Sequence, residues 1–402
     1  MAKRTPPIEV DATGLPPLGM TPAVFLRDYW QKRPLLVRNA FPGFVAPITP
    51  EDLAGLACED AALSRIVMHE TGVSGSLDQW LLQHGPFPEE LFPTLPHQDW
   101  TLLVQDVDKW DADVAVLLKA FDFLPRWRID DVMVSFAAPG GSVGAHVDQY
   151  DVFLLQGLGR RHWQIDTSAN PSMEFRQDSE LKLLSQFNPT HDWVLEPGDM
   201  LYLPPGVPHH GVAEDACLTF SIGMRAPAAS ELLGDFVDDL IDGSSDSQRY
   251  ADPDLAPAGD PNEIDAASMQ RVLEALNALR MNDPERLGDW FGRFITQYRS
   301  AGEAIPPEAC PARIEVEWLL EHGGGHLVRH PWTRMAWRKS RRAARLYAGG
   351  LVLAMPARDA RRLSAANEID GKLYQDLSQA GQDAVFELLA AGHYQRPSDE
   401  EE

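Results

Sequence analysis

Cysteine is scarce in this chain, with Cys58, Cys217 and Cys310 the three among 402 residues. They are far apart, odd in number and not at metal-ligating spacing, so no disulfide framework or cysteine metal site is expected, only reduced thiols in the cytoplasm. Long apolar runs are missing too. No stretch approaches the roughly 18 residues a membrane-spanning helix needs, and the opening MAKRTPPIEV lacks the apolar core of a secretory signal. Both absences lead us to expect a cytoplasmic protein with no membrane partner. Positive charge is in short supply, with 35 Lys and Arg against 60 Asp and Glu and a net charge of −25. That balance argues against nucleic acid as the main partner and suits a basic protein or peptide, drawn in by long-range steering. What the chain does have is apolar substance, 44% hydrophobic residues and eleven tryptophans. It is therefore globular and long enough for two or three domains.

Thr21-Pro22 reads as an N-cap and first helical residue, with Phe25, Leu26, Tyr29 and Trp30 as the apolar stripe of the helix that follows. Leu35-Leu36-Val37 reads as a short strand. Residues from about 50 to 127 read as mixed helices and loops, with His69, His84 and His97 as surface or capping side chains. From Trp127 to Arg225 the pattern becomes short strands with turn signals between them, as a sandwich or barrel requires. The expected strands are Asp131 to Phe136, Asp151 to Gln156, Arg160 to Ile165, Trp193 to Leu195, Met200 to Leu203 and Leu218 to Met224. Residues Asn170 to Asn188 read as a loop. After Pro227 three amphipathic helices are expected: one capped by Ser230, one around Met269 to Leu276, and one starting at Asp283-Pro284. They make a thin core alone, so residues 228–304 are expected to be a dimerisation region between a catalytic domain at 1–227 and a C-terminal domain at 305–402. Between His326 and Leu363 ten Lys and Arg stand against one acidic residue, Asp359. That run reads either as an RNA contact or as a hairpin whose charges are solvated or paired internally.

The chemistry gathers in PGGSVGAHVDQYDVFLLQGLGRRHWQI, Pro139 to Ile165. On a strand, residues two apart share a face, so His146, Asp148 and Tyr150 are expected to point together. Gly140-x5-His146 has the layout of the first cupin motif, but the second histidine of that motif is Asp148 here, and its glutamate is absent. Gly198 to His209 has the G-x5-P-x-G-x2-H layout of the second cupin motif and supplies His209. Two histidines and one carboxylate with positions left open are the ligand set of non-haem Fe(II) oxygenases. Adjacent His210 should point the other way, and His162 away from Arg161 and Trp163. Arg161 falls on the face expected to line the barrel, where a buried guanidinium needs a well-placed anion. Because arginine holds carboxylates bidentately, a dicarboxylate co-substrate such as 2-oxoglutarate explains it, with Ser135 able to add a hydroxyl. An internal salt bridge is the other use for Arg161. Asp131 shares a face with Met133 and Ser135, and with Tyr150 it could cradle a cationic side chain or else cap a turn.

WQKRP (Trp30 to Pro34), WRIDDVMVSF (Trp127 to Phe136), the Pro139 to Trp163 segment, EPGDMLYLPPG-x-PH (Glu196 to His209) and FSIGMRAP (Phe220 to Pro227) together resemble the bacterial JmjC-type ribosomal oxygenases. The resemblance covers nearly the whole chain. It implies a mainly β plus α protein: a double-stranded β-helix (cupin/JmjC) catalytic domain, a helical dimerisation region and a winged-helix C-terminal domain. By the same resemblance, His146, Asp148 and His209 hold Fe(II), Ser135 and Arg161 bind 2-oxoglutarate, and Asp131, Met133 and Tyr150 cradle a target arginine. The implied activity is 2-oxoglutarate-, Fe(II)- and O2-dependent hydroxylation of the β-carbon of an arginine in ribosomal protein L-sixteen, a basic protein of the large subunit, by a homodimer. The chain departs from the family at His210, where an acidic residue is usual, and at Thr219, where asparagine is expected. Two other readings compete with this one: the same oxygenase acting on histidine or asparagine, and a cupin-like binding module without catalysis. Asp131 favours a guanidinium over an imidazole or amide, and the intact triad disfavours the inactive module.

Overall fold

The computed structural model describes residues 6–70, 79–245, 247–257, 259–279, 283–297 and 302–397. The chain divides into two units, Met1–Ala226 and Pro227–Glu402. In the first unit the strands are β1 (Glu9–Asp11), β2 (Leu35–Arg38), β3 (Ser64–Glu70), β4 (Gln79–His84), β5 (Trp100–Val104), β6 (Ile129–Ala137), β7 (Val152–Leu158), β8 (Arg161–Ile165), β9 (His191–Leu195), β10 (Met200–Leu203), β11 (His209–Ala213) and β12 (Cys217–Met224). They form a large sheet in the order β1-β2-β10-β7-β12-β6-β5-β3-β4 and a small one in the order β11-β8-β9.

Side-chain alternation makes two cores from one sheet. Phe153 and Leu155 of β7, Met200 and Tyr202 of β10, and Phe220 and Ile222 of β12 face an outer layer that includes Phe25 of helix α1 (Pro22–Asp28). The alternate residues Val152, Leu154, Leu201 and Leu203 meet Trp163 and Ile165 of β8 and Leu195 of β9 between the two sheets. Strands covered on both faces lose the apolar–polar alternation, and every residue of β12 is buried. On β6 and β12, however, the face turned from the outer layer carries Ser135 opposite Thr219, with Ser221 beside them. The space between the sheets is thus apolar on one side and polar on the other, and the polar side holds the candidate site.

Three local expectations change. Residues 50–127 contain helix α2 (Pro50–Leu56) but also β3, β4 and β5, which extend the large sheet. His69 lies on β3, half-buried and stacked on Trp80 at 4.9 Å between ring centroids, and so is not a surface residue. His146 to Tyr150 is not a strand: it makes a single bridge, His146 to His209, and then bends. Two short helices, α3 (Val107–Trp110) and α4 (Ala112–Val116), follow β5.

The second unit contains α5 (Ala229–Asp242), α6 (Ala266–Ala278), α7 (Pro284–Thr296), α8 (Arg313–Glu321), β13 (His326–Arg329), β14 (Met335–Lys339), β15 (Ala344–Ala348), β16 (Leu351–Met355), α9 (Ala357–Ala365), β17 (Glu368–Asp370), α10 (Gly371–Gln375), α11 (Gln379–Ala390) and β18 (Tyr394–Gln395). Ala228, not Ser230, is the N-cap of α5, so Ser230 falls inside the first turn. Strands β14-β15-β16 form an antiparallel sheet against which α7 packs. The contact is close because Gly292 lies over the Tyr347 ring, where a Cβ would come within 2.5 Å.

Much of the basic run is consumed within this unit. Arg338 pairs with Asp289 at 3.0 Å and Glu285 at 3.2 Å, Arg362 pairs with Asp376 at 3.0 Å, and Arg329 donates to the carbonyls of Leu363 and Ser364 at the end of α9. Lys339, Arg341 and Arg342 at the β14–β15 turn stay exposed. Helices α5 and α6 differ from α7. Helix α5 buries only Phe236 and Leu240 among the described residues, and α6 buries none.

Candidate active site

Three side chains converge at the polar side of the first unit. One ligand atom each from His146, Asp148 and His209 lies within 4.8 Å of the others. Backbone pairing sets this up. His146 N–H donates to His209 O at 3.0 Å and His209 N–H donates back to His146 O at 3.0 Å, so the two imidazoles leave adjacent backbones with ring centroids 4.2 Å apart. The approach to His146 runs antiparallel to β11, with Gly140 N–H bonded to Ala213 O at 2.8 Å and Ala213 N–H to Gly141 O at 3.0 Å. Gly140 and Gly144 adopt φ of +78° and +79° on this approach, a left-handed turn that side-chain-bearing residues rarely make. Gly206 N–H fixes Asp148 through its carbonyl at 2.8 Å.

Each histidine has its tautomer set locally. His146 Nδ1 lies 2.9 Å from Gly144 O and His209 Nδ1 lies 2.9 Å from Val207 O. A carbonyl only accepts, so Nδ1 carries the proton and Nε2 keeps its lone pair, the form a metal needs. His209 Nε2 is 3.6 Å from Asp148 Oδ2. Burial, and then the neighbouring His146, push the His209 pKa down to about 4, which keeps it neutral. Two neutral imidazoles and one carboxylate fit a divalent iron with coordination positions to spare.

The segment beyond Asp148 is pinned by Asp151, which is fully buried. Its carboxylate accepts from Tyr202 Oη at 2.6 Å, Gln31 Nε2 at 2.9 Å and Arg128 Nη2 at 3.1 Å. A buried carboxylate is tolerated when saturated in this way. Tyr150, 41% exposed, precedes it. Although the residue is part exposed, desolvation of its hydroxyl, then Asp148 and Asp131, raise that hydroxyl above its usual range.

Arg161 is 3% exposed on β8. Its Nη2 donates to Gly211 O at 3.2 Å, its guanidinium lies 5.1 Å from the Trp163 ring centroid, and its Nε has no partner. Among the described residues no acidic side chain pairs with it, and burial lowers its pKa. An under-satisfied buried guanidinium fits a carboxylate ligand and does not fit the internal salt bridge that the sequence also allowed. Gly211 is what lets β11 cross it, since a Cβ there would meet Arg161 Nε at 2.8 Å.

Ser135 is buried on β6, two residues from half-buried Met133 and four from half-buried Asp131, on the face that leads away from the outer core. His162 and Gln164 point from β8 to Asp192 at 2.9 and 3.2 Å, and His210 bonds Ser142 Oγ at 3.0 Å through Nε2. Thr219 donates to Gln156 Oε1 at 3.2 Å. Missed from sequence was Asp106, buried after β5, whose N–H donates to Asp131 Oδ2 at 3.1 Å. Nothing local in the sequence singles it out, because the contact spans 25 residues.

A two-sheet β barrel with a two-histidine, one-carboxylate centre and an inward arginine defines a cupin-type oxygenase of the JmjC class. Family comparison gives the same result. A JmjC domain matches over residues 116–232 and a ROXA-like winged helix over residues 278–395. The chain is 40% identical over 302 residues to the ribosomal protein uL16 3-hydroxylase of Escherichia coli, covering 74% of this chain and 78% of that protein. A crystal structure of Escherichia coli ycfD superposes with a TM-score of 0.85 at 35% identity, covering 94% of this chain and 99% of that one. A structure of the ribosomal oxygenase YcfD in complex with cobalt and 2-oxoglutarate superposes with a TM-score of 0.81, also at 35% identity, over 95% of this chain and 99% of that one. The chain belongs to the bacterial JmjC ribosomal oxygenase family.

Proposed function

We propose that the protein is a 2-oxoglutarate- and Fe(II)-dependent dioxygenase that hydroxylates the β-carbon of an arginine in a basic large-subunit ribosomal protein. The observation that carries this reading is the juxtaposition, inside one barrel, of the His146–Asp148–His209 cluster with the buried, under-satisfied guanidinium of Arg161. His146, Asp148 and His209 hold the iron, Arg161 and Ser135 hold the co-substrate, and Asp131, Met133 and Tyr150 receive the target side chain. Iron, 2-oxoglutarate and O2 together supply the oxidising power when bound. The protein's own part is geometric: it fixes the ligand tautomers, anchors one carboxylate end and aims one C–H bond.

A carboxylate at Asp131 favours a guanidinium over an imidazole or amide, and the net charge of −25 suits a basic substrate. Incubation with iron, 2-oxoglutarate and a peptide from the ribosomal protein should give a product one oxygen heavier, by mass spectrometry, and succinate in equal amount. Product that persists when the arginine is replaced sinks the arginine assignment. Absence of succinate with every substrate favours the binding-module reading.

The protein acts as a homodimer in the cytoplasm on this reading. Support for the dimer comes from α5 and α6, which leave Leu233 58%, Ile241 60%, Met269 56% and Leu273 50% exposed. Exposed apolar stripes on consecutive helices mark an interaction face. Leu233→Glu with Leu273→Glu should shift the protein to monomer in light scattering, because each side chain removed from an interface costs about 1.5–3 kcal/mol. A dimer that survives the double change at the same concentration excludes this face. The exposed cations at the β14–β15 turn, Lys339, Arg341 and Arg342, are the part of the basic run available for an RNA contact.

A further inference from the structure

The large sheet runs on past the catalytic pocket, and the part beyond it carries a cation that the reading above leaves without a task. Register fixes which side chains share a face, because residues directly opposite on neighbouring strands point the same way. Ser135 of β6 pairs with Leu103 of β5, Leu103 with Arg65 of β3, and Arg65 with His84 of β4. The alternate residues Ile66, Leu102 and Val104 pack in the outer core. Arg65 therefore stands on the pocket face, two strands or about 10 Å from the Ser135 position. The Tyr150 hydroxyl, which desolvation and then Asp148 and Asp131 hold above its usual range, feels the opposing charge of Arg65. Arg65 thus lies beside the wall assigned to the target side chain.

Arg65 is half-buried and, among the described residues, makes no hydrogen bond and no ion pair. Leu103 and His84 flank it across the sheet, and Leu63 and Val67 lie two residues away along the chain. None of the four is a carboxylate. The face closes at its far end, where Trp80 stacks on His69 at 4.9 Å and a Cβ on Gly144 would come within 3.2 Å of the Trp80 ring. At the Arg65 end it opens to solvent, since His84 is exposed. A guanidinium has five N–H donors and accepts nothing, so a partly desolvated one with no partner is short of acceptor oxygens.

Hydroxylation at a β-carbon calls for such a group. The β-carbon lies two bonds from the peptide carbonyl carbon, whereas the guanidinium received at Asp131 lies several rotatable bonds further out. An anchor at the guanidinium alone leaves those torsions loose, so one C–H bond is not aimed until the main chain is held as well. A basic peptide brings few carboxylates, but every residue brings a carbonyl, and the arginine fork has donors for two of them. We propose that Arg65 is a substrate-positioning residue whose guanidinium donates to main-chain carbonyls of the ribosomal peptide beside its target residue, with that peptide lying on the pocket face of β5, β3 and β4. The proposal rests on the peptide β-carbon hydroxylase reading and adds a second anchor to it.

The test compares full-length wild type, Arg65→Met and Arg65→Lys, each with iron and 2-oxoglutarate, on three peptides. One is the normal ribosomal peptide, and in the other two an ester replaces the amide on one or the other side of the target residue. An ester carbonyl is a poorer hydrogen-bond acceptor than an amide carbonyl. With the normal peptide, Arg65→Met should raise KM roughly tenfold to a hundredfold, the loss expected for hydrogen bonds to a charged group. The KM for 2-oxoglutarate should stay unchanged, and succinate should exceed hydroxylated product, because a loosely held β-carbon is missed. Arg65→Lys keeps the charge without the fork and should recover part of the loss. At least one ester should weaken wild type by about tenfold and cost Arg65→Met nothing further. Esters that cost wild type nothing, or cost wild type and Arg65→Met the same, overturn this inference alone, whatever the stability of the variant. Wild-type protein that hydroxylates no ribosomal peptide overturns both this inference and the reading beneath it.

Discussion

His209→Ala should abolish hydroxylation, and His210→Ala, one residue along, should not. The difference follows from where β11 turns each ring. His209 is 2% exposed, shares reciprocal backbone bonds with His146, and has its Nδ1 proton held by Val207 O, so its Nε2 lone pair faces Asp148 at 3.6 Å. His210 faces the other way and is occupied with Ser142 at 3.0 Å. Removing an outer-shell partner of a metal ligand typically costs about 10–100-fold in affinity. Losing the ligand itself should cost more, so calorimetric titration with Co(II) should show His209→Ala weakened by well over about a hundredfold. His210→Ala should bind the metal within about tenfold of wild type, having lost neither ligand nor outer partner. The protonation state adds a pH signature. With His209 pushed down to about 4, folding does not depend on its charge near neutrality, and metal binding there need not displace a proton from it. A His209→Ala protein that keeps iron-dependent turnover within tenfold of wild type would remove the ligand assignment.

How much of this was legible beforehand varies by residue, for physical reasons. On β6 and β8 the two-residue period survives, so Asp131, Met133 and Ser135 could be assigned to one face, and Arg161 and Trp163 to the inward one. The order of the chain also gave the spacing that brings His209 to His146. The strand containing His209 was not visible, because His209-His210-Gly211-Val212-Ala213 follows a proline and has few β-branched residues. Strand β5 reads as helix or loop because burial on both faces erases alternation: all of Trp100 to Val104 is buried. The backbone at His146 to Tyr150 was read as a strand, yet it bends, and the triad meets through the paired backbones of His146 and His209 instead. Asp106 had no sequence signal, since its contact with Asp131 depends on a left-handed bend and a distant partner.

The inward arginine leads to the prediction with the other large effect. Arg161 is a cation 3% exposed with one carbonyl at 3.2 Å, a stacked indole, and an unpartnered Nε. In the absence of an anion such a group destabilises the fold, because desolvation exceeds what one neutral acceptor returns. Arg161→Met keeps most of the volume and removes the charge, so the protein without co-substrate should be as stable as wild type or more so, by about 1–3 kcal/mol. Wild type should gain about 2.7 kcal/mol from 2-oxoglutarate or its unreactive analogue at 100 times Kd, by mass action on the folded state. The variant at the same concentration should gain almost nothing. Arg161→Lys restores the charge but not the fork, so it should recover only part of the affinity, with Co(II) binding unchanged in all three proteins. Unchanged or higher stability without co-substrate, together with loss of the co-substrate gain, separates a ligand-binding arginine from a structural one. An arginine that served an internal salt bridge would lower stability on replacement, with or without co-substrate. A variant that loses stability alone and still responds fully to 2-oxoglutarate would return Arg161 to that structural role.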